Sequence, residues 1–87
     1  MYDSYILYIK VKCPFCIKAL DRLEKEQKHY KIIIIDDCSD DFISQLKEAY
    51  KCGSFPMVLG YDETYQSYSW IGGCDDLMFH LDNPKEI

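Results

Sequence analysis

Two hydrophobic periods alternate along the chain. Tyr5 to Lys12 is apolar and rich in Ile, Tyr and Val, which predicts a first strand. Ile17, Leu20 and Leu23 then recur at helical spacing, with Lys18, Asp21, Arg22, Glu24 and Lys25 on the other faces. This predicts a helix that opens at Pro14, where a missing N–H is harmless, and runs to about Lys28. Lys31 to Asp36 holds four consecutive isoleucines, the pattern of a strand buried on both faces. Asp36, Asp37, Ser39 and Asp40 form an exit loop with cap candidates, and Phe42, Ile43, Leu46 and Tyr50 mark a second helix ending near Cys52-Gly53. Met57 to Leu59 predicts a third strand, Gly60 to Glu63 a turn, and Gln66 to Ile71 a fourth strand. Gly72-Gly73 breaks it, Cys74 to about Leu81 predicts a last helix, and Asn83-Pro84 stops that helix. The tyrosines, the isoleucine run and the helix-face leucines are read as core.

The predicted order is β-α-β-α-β-β-α, an α/β fold. The first βαβ unit requires parallel strands with a right-handed crossover. The short link between the last two strands makes them antiparallel. The expectation is a four-stranded mixed sheet flanked by helices, in a single domain over residues 1–87.

Composition narrows the function. Apolar residues at 48% and charged residues at 29% exclude a disordered chain, and four Gly with three Pro exclude a collagenous one. A net charge of −5, with no basic stripe, argues against nucleic acid as a partner. No apolar run approaches the ~20 residues of a membrane span. Asp3 and the short run Tyr5 to Ile9 do not resemble an export signal, so the expected location is the cytoplasm. No membrane partner is expected.

Five cysteines, at 13, 16, 38, 52 and 74, are an odd set for a disulfide framework. In a reducing compartment a close pair points to metal or redox chemistry. Cys13 and Cys16 lie where a strand hands over to a helix. Cys13 would be the N-cap, with the amides of Phe15 and Cys16 directed at its sulfur and the helix dipole favouring a thiolate. Lys10 and Lys12 add positive charge nearby. A thiolate there is the attacking group of disulfide exchange, and two intervening residues let Cys16 reach back as the resolving thiol. The competing reading is half of a zinc site, but Cys38, Cys52, Cys74, His29 and His80 offer no second pair at ligand spacing, so no metal is expected. Ser54-Phe55-Pro56 reads either as plain strand initiation or as a cis Phe55–Pro56 turn that frees the Phe55 backbone for an extended substrate. Gly72-Gly73-Cys74-Asp75-Asp76 reads either as an ordinary helix start or as a clamp for the charged end of an amino acid. Cys38 and Cys52 are read as small buried hydrophobes.

Cys13-Pro14-Phe15-Cys16, Ser54-Phe55-Pro56 and Gly72-Gly73-Cys74-Asp75-Asp76-Leu77 together resemble the three motifs of the glutaredoxins, in family order and across nearly the whole chain. The resemblance implies a thioredoxin-like fold and a thiol–disulfide oxidoreductase with glutathione as co-substrate and no bound cofactor. It implies Cys13 as nucleophile and Cys16 as resolving thiol. It implies a glutathione site made by Lys10, Phe15, Phe55, Pro56, Gly73, Cys74, Asp75 and Asp76. Lys10 would meet a carboxylate, the Phe55 backbone would pair with the glutathione cysteine, and Cys74 to Asp76 would grip the γ-glutamyl end. Phe15 stands where many members have Tyr. Gly53 stands where many carry Arg or Lys, so Lys51 or Gln45 is the expected substitute in that part of the glutathione carboxylate contact. The implied partners are glutathione and disulfide-containing client proteins, ribonucleotide reductase among the candidates, with the chain acting as a monomer. Two rivals are a thioredoxin-like reductant recharged by a flavoprotein reductase, and a non-enzymatic iron–sulfur carrier. The first lacks its Trp-Cys-Gly-Pro-Cys pattern here, and Pro14 disfavours the second.

Overall fold

The computed structural model describes residues 2–83; Pro84, expected to stop the last helix, lies outside them. The elements are β1 (Ser4–Ile9), α1 (Pro14–Lys25), β2 (Tyr30–Ile34), α2 (Asp40–Tyr50), β3 (Met57–Asp62), β4 (Ser67–Gly72) and α3 (Cys74–Asp82). The four strands form one sheet in the order β2-β1-β3-β4. β1 runs parallel to β2, while β1–β3 and β3–β4 are antiparallel. This is the mixed sheet expected, with a thioredoxin-like element order.

Strand alternation decides which side chains meet the helices. In β1, Tyr5, Leu7 and Ile9 are buried while the residues between them are only partly so. They pack with Val58 of β3 against Cys16, Ala19 and Leu23 of α1 and Cys74 and Leu77 of α3. On the opposite face α2 covers a smaller cluster, Ile35, Leu46 and Met57. Phe55, in the link between α2 and β3, packs against both clusters. Arg22 ties α1 to α3 through an ion pair with Asp82 and also pairs with Glu26 at the end of its own helix.

Several expectations are corrected. β2 is an edge strand, so the isoleucine run is not buried on both faces. Ile32 is 41% exposed, and only Ile35, in a single 3₁₀ turn (Ile35–Asp37), is buried. α1 stops at Lys25, and Gln27, with φ 57°, turns the chain away. Its inward face is Cys16, Ala19 and Leu23; Ile17 is exposed. β1 stops at Ile9 rather than Lys12. Gly60 to Asp62 continue β3 rather than forming a turn. The ring of Tyr2 occupies the space a Cβ at Gly60 would need, at 2.4 Å. Tyr65 and Tyr68 are exposed rather than core.

Candidate active site

The site begins where β1 ends. The chain turns through Lys10 to Lys12, with Lys12 at a left-handed φ of 62°. The Val11 amide donates to the Asp36 carboxylate at 3.0 Å, which anchors this loop to the exit of β2. Cys13 then takes an extended conformation as the N-cap of α1, and Pro14 opens the helix. Of the two amides expected to face the sulfur, that of Cys16 makes the bond, donating to Sγ at 3.3 Å. The Cys13 thiol also lies 3.7 Å from the Phe55 carbonyl oxygen, which accepts from it. No acidic residue occupies the first turn of α1. Cys13 is half-buried, whereas Cys16 is fully enclosed. Burial pushes the Cys16 thiol up to about 12, and its hydrogen bond to Cys13 acts in the same direction. One sulfur is presented and the other is held protonated beneath it.

The opposite wall comes from two chain reversals. The Phe55–Pro56 bond is cis, with Pro56 buried and Phe55 half-buried. At the end of β4, Gly72 has a φ of +131°, a conformation open to glycine. Gly73 caps α3, and its amide donates to Asp76 Oδ2 at 3.0 Å. A Cβ at Gly73 would lie 3.7 Å from the Pro56 carbonyl oxygen, so the two reversals abut. Between them runs a groove of about 290 Å³ lined by Phe15, Ser54, Phe55, Pro56 and Gly73 to Asp76. Cys74 is buried in its wall, and burial raises that thiol's pKa, opposed in part by Lys18. Asp75 and Asp76 are exposed.

The structure thus brings the three separated motifs to one place. Phe15, Phe55, Pro56, Gly73, Cys74, Asp75 and Asp76 share the groove, and Cys13 adjoins it through Phe55. Lys10 is exposed, with Nζ 5.8 Å from the centre of the Phe55 ring. A second ammonium stands over the same ring, and it belongs to Lys47, again at 5.8 Å. Lys47 lies on α2 one turn before Lys51, and neither Lys51 nor Gln45 stands over that ring. Its only sequence signal is a position beside the inward face of Ile43, Leu46 and Tyr50. Asp36 was likewise legible only as an exit-loop residue. Cys38 and Cys52 are half-buried against the Ile35, Leu46 and Met57 cluster. Among the described residues no three His, Cys, Asp or Glu side chains gather as a metal site.

Residues 6–63 match the family model described as Glutaredoxin. A curated relative, glutaredoxin 1 of Rickettsia bellii, is 31% identical over 84 residues, covering 97% of this chain and 82% of that protein. The fold is similar to a crystal structure of wheat glutaredoxin, with a TM-score of 0.76 at 26% identity, covering 93% of this chain and 73% of that one. It is also similar to a buckwheat glutaredoxin–glutathione complex, with a TM-score of 0.75 at 21% identity, covering 91% of this chain and 68% of that one.

Proposed function

Because the chain belongs to the glutaredoxin family, we propose that it is a glutathione-dependent thiol–disulfide oxidoreductase acting through Cys13 and Cys16. Family membership supports the oxidoreductase activity itself. The observation that carries the finer reading is the position of the Cys13 sulfur. It accepts the Cys16 amide at 3.3 Å, lies against the Phe55 carbonyl, and borders the groove of about 290 Å³ that Phe55 and Pro56 line. The relative solved as a glutathione complex supports the choice of ligand.

In this reading the Cys13 thiolate attacks the glutathione sulfur of a mixed disulfide. The client leaves as a thiolate, and Cys13 carries the glutathione. A second glutathione thiolate then attacks that glutathione sulfur, releasing oxidised glutathione and restoring Cys13. With a client disulfide, Cys13 forms a mixed disulfide with the client. Cys16 attacks the Cys13 sulfur, freeing the client and closing an internal disulfide. Burial of Cys16 suits this order, since a protonated, enclosed thiol competes poorly for the first attack.

The test is turnover coupled to NADPH, with glutathione and glutathione reductase in one arm and thioredoxin reductase in the other. Turnover is expected in the first arm alone. Cys13→Ser should reduce it to background, because a serine hydroxyl is not ionised at neutral pH. Cys16→Ser should keep most activity on a glutathionylated peptide and lose most on a protein disulfide. Turnover only with thioredoxin reductase, or equal loss from both variants on the peptide, would overturn the reading.

A further inference from the structure

We propose that β2 is an interface with a second copy of this chain: two β2 strands pair antiparallel about Ile32 and join the two sheets edge to edge across a two-fold axis.

β2 is one rim of the sheet, and only one side of its backbone is used. The Tyr5 amide donates to the His29 carbonyl at 3.0 Å, in a parallel register that sets Tyr5 beside Tyr30. A parallel ladder that starts there continues through Lys31 and Ile33. The N–H and C=O groups of Tyr30, Ile32 and Ile34 therefore point away from β1. β2 has no Pro, Gly or bulge to blunt that edge, and Tyr30 and Ile32 are 36% and 41% exposed. The other rim differs. Val58 pairs with Gly72 and Leu59 with Trp70, so Ile71 is left over as a bulge that twists β4 away from a flat neighbour.

Charge selects the partner and its direction. Lys28, His29 and Lys31 stand at the entrance of β2, and Asp36 and Asp37 at its exit. A parallel copy would set like charges together. An antiparallel copy sets the basic entrance of each chain beside the acidic exit of the other, and the symmetry repeats the match. Among the described residues both ion pairs belong to Arg22, so neither cluster is spent on a pair within the chain. The register follows as well. With Ile32 on the axis, Tyr30 meets the partner's Ile34, and every outward backbone group is paired. Lys31 then lies opposite the partner's Ile33, and Lys28 opposite the partner's Asp36. An axis one residue earlier would set Lys31 against its own copy, and directly opposed like charges are unfavourable. An axis one residue later would set Tyr30 against the partner's Asp36, which lies outside β2. No residue lining the groove belongs to β2, so both active sites stay open.

The test is sedimentation equilibrium of the whole chain from micromolar to millimolar concentration, with excess reductant so that no intermolecular disulfide contributes. The mass should rise to that of a dimer, and added salt should weaken the association. Ile32→Pro removes the central outward N–H and leaves the bonds to β1 in place. It should weaken association at least about tenfold, the scale of the two backbone hydrogen bonds lost across the axis, with the far-ultraviolet circular dichroism of the parent. Lys28→Glu should weaken association several-fold, and adding Asp37→Lys to it should restore the parent value. A parent that stays monomeric at millimolar concentration, or a folded Ile32→Pro variant that associates as the parent does, would overturn the proposal. If the proline variant does not fold, the charge variants decide. Association unaffected by Lys28→Glu, or not restored by Asp37→Lys, would overturn it equally.

Discussion

Helices α1 and α3 both deliver their first turns to the groove, yet only α3 brings charged side chains in that turn. A helix N-terminus carries about half a positive charge from its unpaired amides. At α1 that field is left open: the cap is a sulfur, the first turn has no acid, and the Cys16 amide bonds to the cap. At α3 the first turn contains Asp75 and Asp76, and Asp76 folds back onto the Gly73 amide. The same backbone geometry therefore yields two different electrostatic sites. The open one suits an anion that comes and goes on a sulfur during exchange. The compensated one suits a zwitterionic end, whose carboxylate meets amides while its ammonium meets the aspartates. A helix start alone does not specify an anion site; the side chains of its first turn set the sign.

Substitutions can break this comparison or sharpen it. The largest effect is expected from Gly72→Ala. The added Cβ would sit 2.2 Å from Asp76 Oδ2, at a backbone φ of +131°. Unfolding in urea should show a loss of about 1–3 kcal/mol, the cost of a non-glycine residue in such a conformation. Parent-like stability would mean that Asp76 is not held against this turn. Asp76→Ala should cost about 1 kcal/mol for the lost hydrogen bond to Gly73 and raise KM for a glutathionylated peptide several-fold. Asp76→Asn keeps an acceptor but removes the charge. It should recover most of the stability and little of the KM; recovery of both would leave α3 with a capping role only.

The smallest effect comes from making α1 resemble α3. Ile17 is 55% exposed, so Ile17→Asp adds a carboxylate to the first turn without disturbing the core. Alkylation of Cys13 by iodoacetamide at neutral pH and low salt should slow about two- to fivefold, equivalent to about 0.3–1 kcal/mol of charge–dipole interaction. A rate equal to the parent's would show that the first-turn charge does not distinguish the two helices.

Much of this arrangement is local and was readable in the chain itself. The strand-to-helix step at Cys13-Pro14, the Ser54-Phe55-Pro56 turn and the Gly72-Gly73 break each depend on consecutive residues whose backbone preferences act wherever the segment goes. The alternation of Tyr5, Leu7 and Ile9 likewise identifies a strand with one inward face. The isoleucine run misleads because its hydropathy is the same at an edge as at the centre. β3 pairs with β1 on the side away from β2, and that pairing leaves β2 at the rim with Ile32 exposed. Asp36 reaches the Val11 amide across 25 residues of chain, and Lys10 and Lys47 meet at one phenylalanine from separate elements. No spacing along the sequence encodes those meetings. The sequence by itself determined the elements, their caps and the three motifs, because these follow from short-range backbone sterics and hydrogen bonding. Only the tertiary structure decided which strand lies at the edge, which thiol is enclosed and which lysine stands beside the site. Those outcomes depend on how the sheet order and the packing of α1, α2 and α3 bring distant segments together.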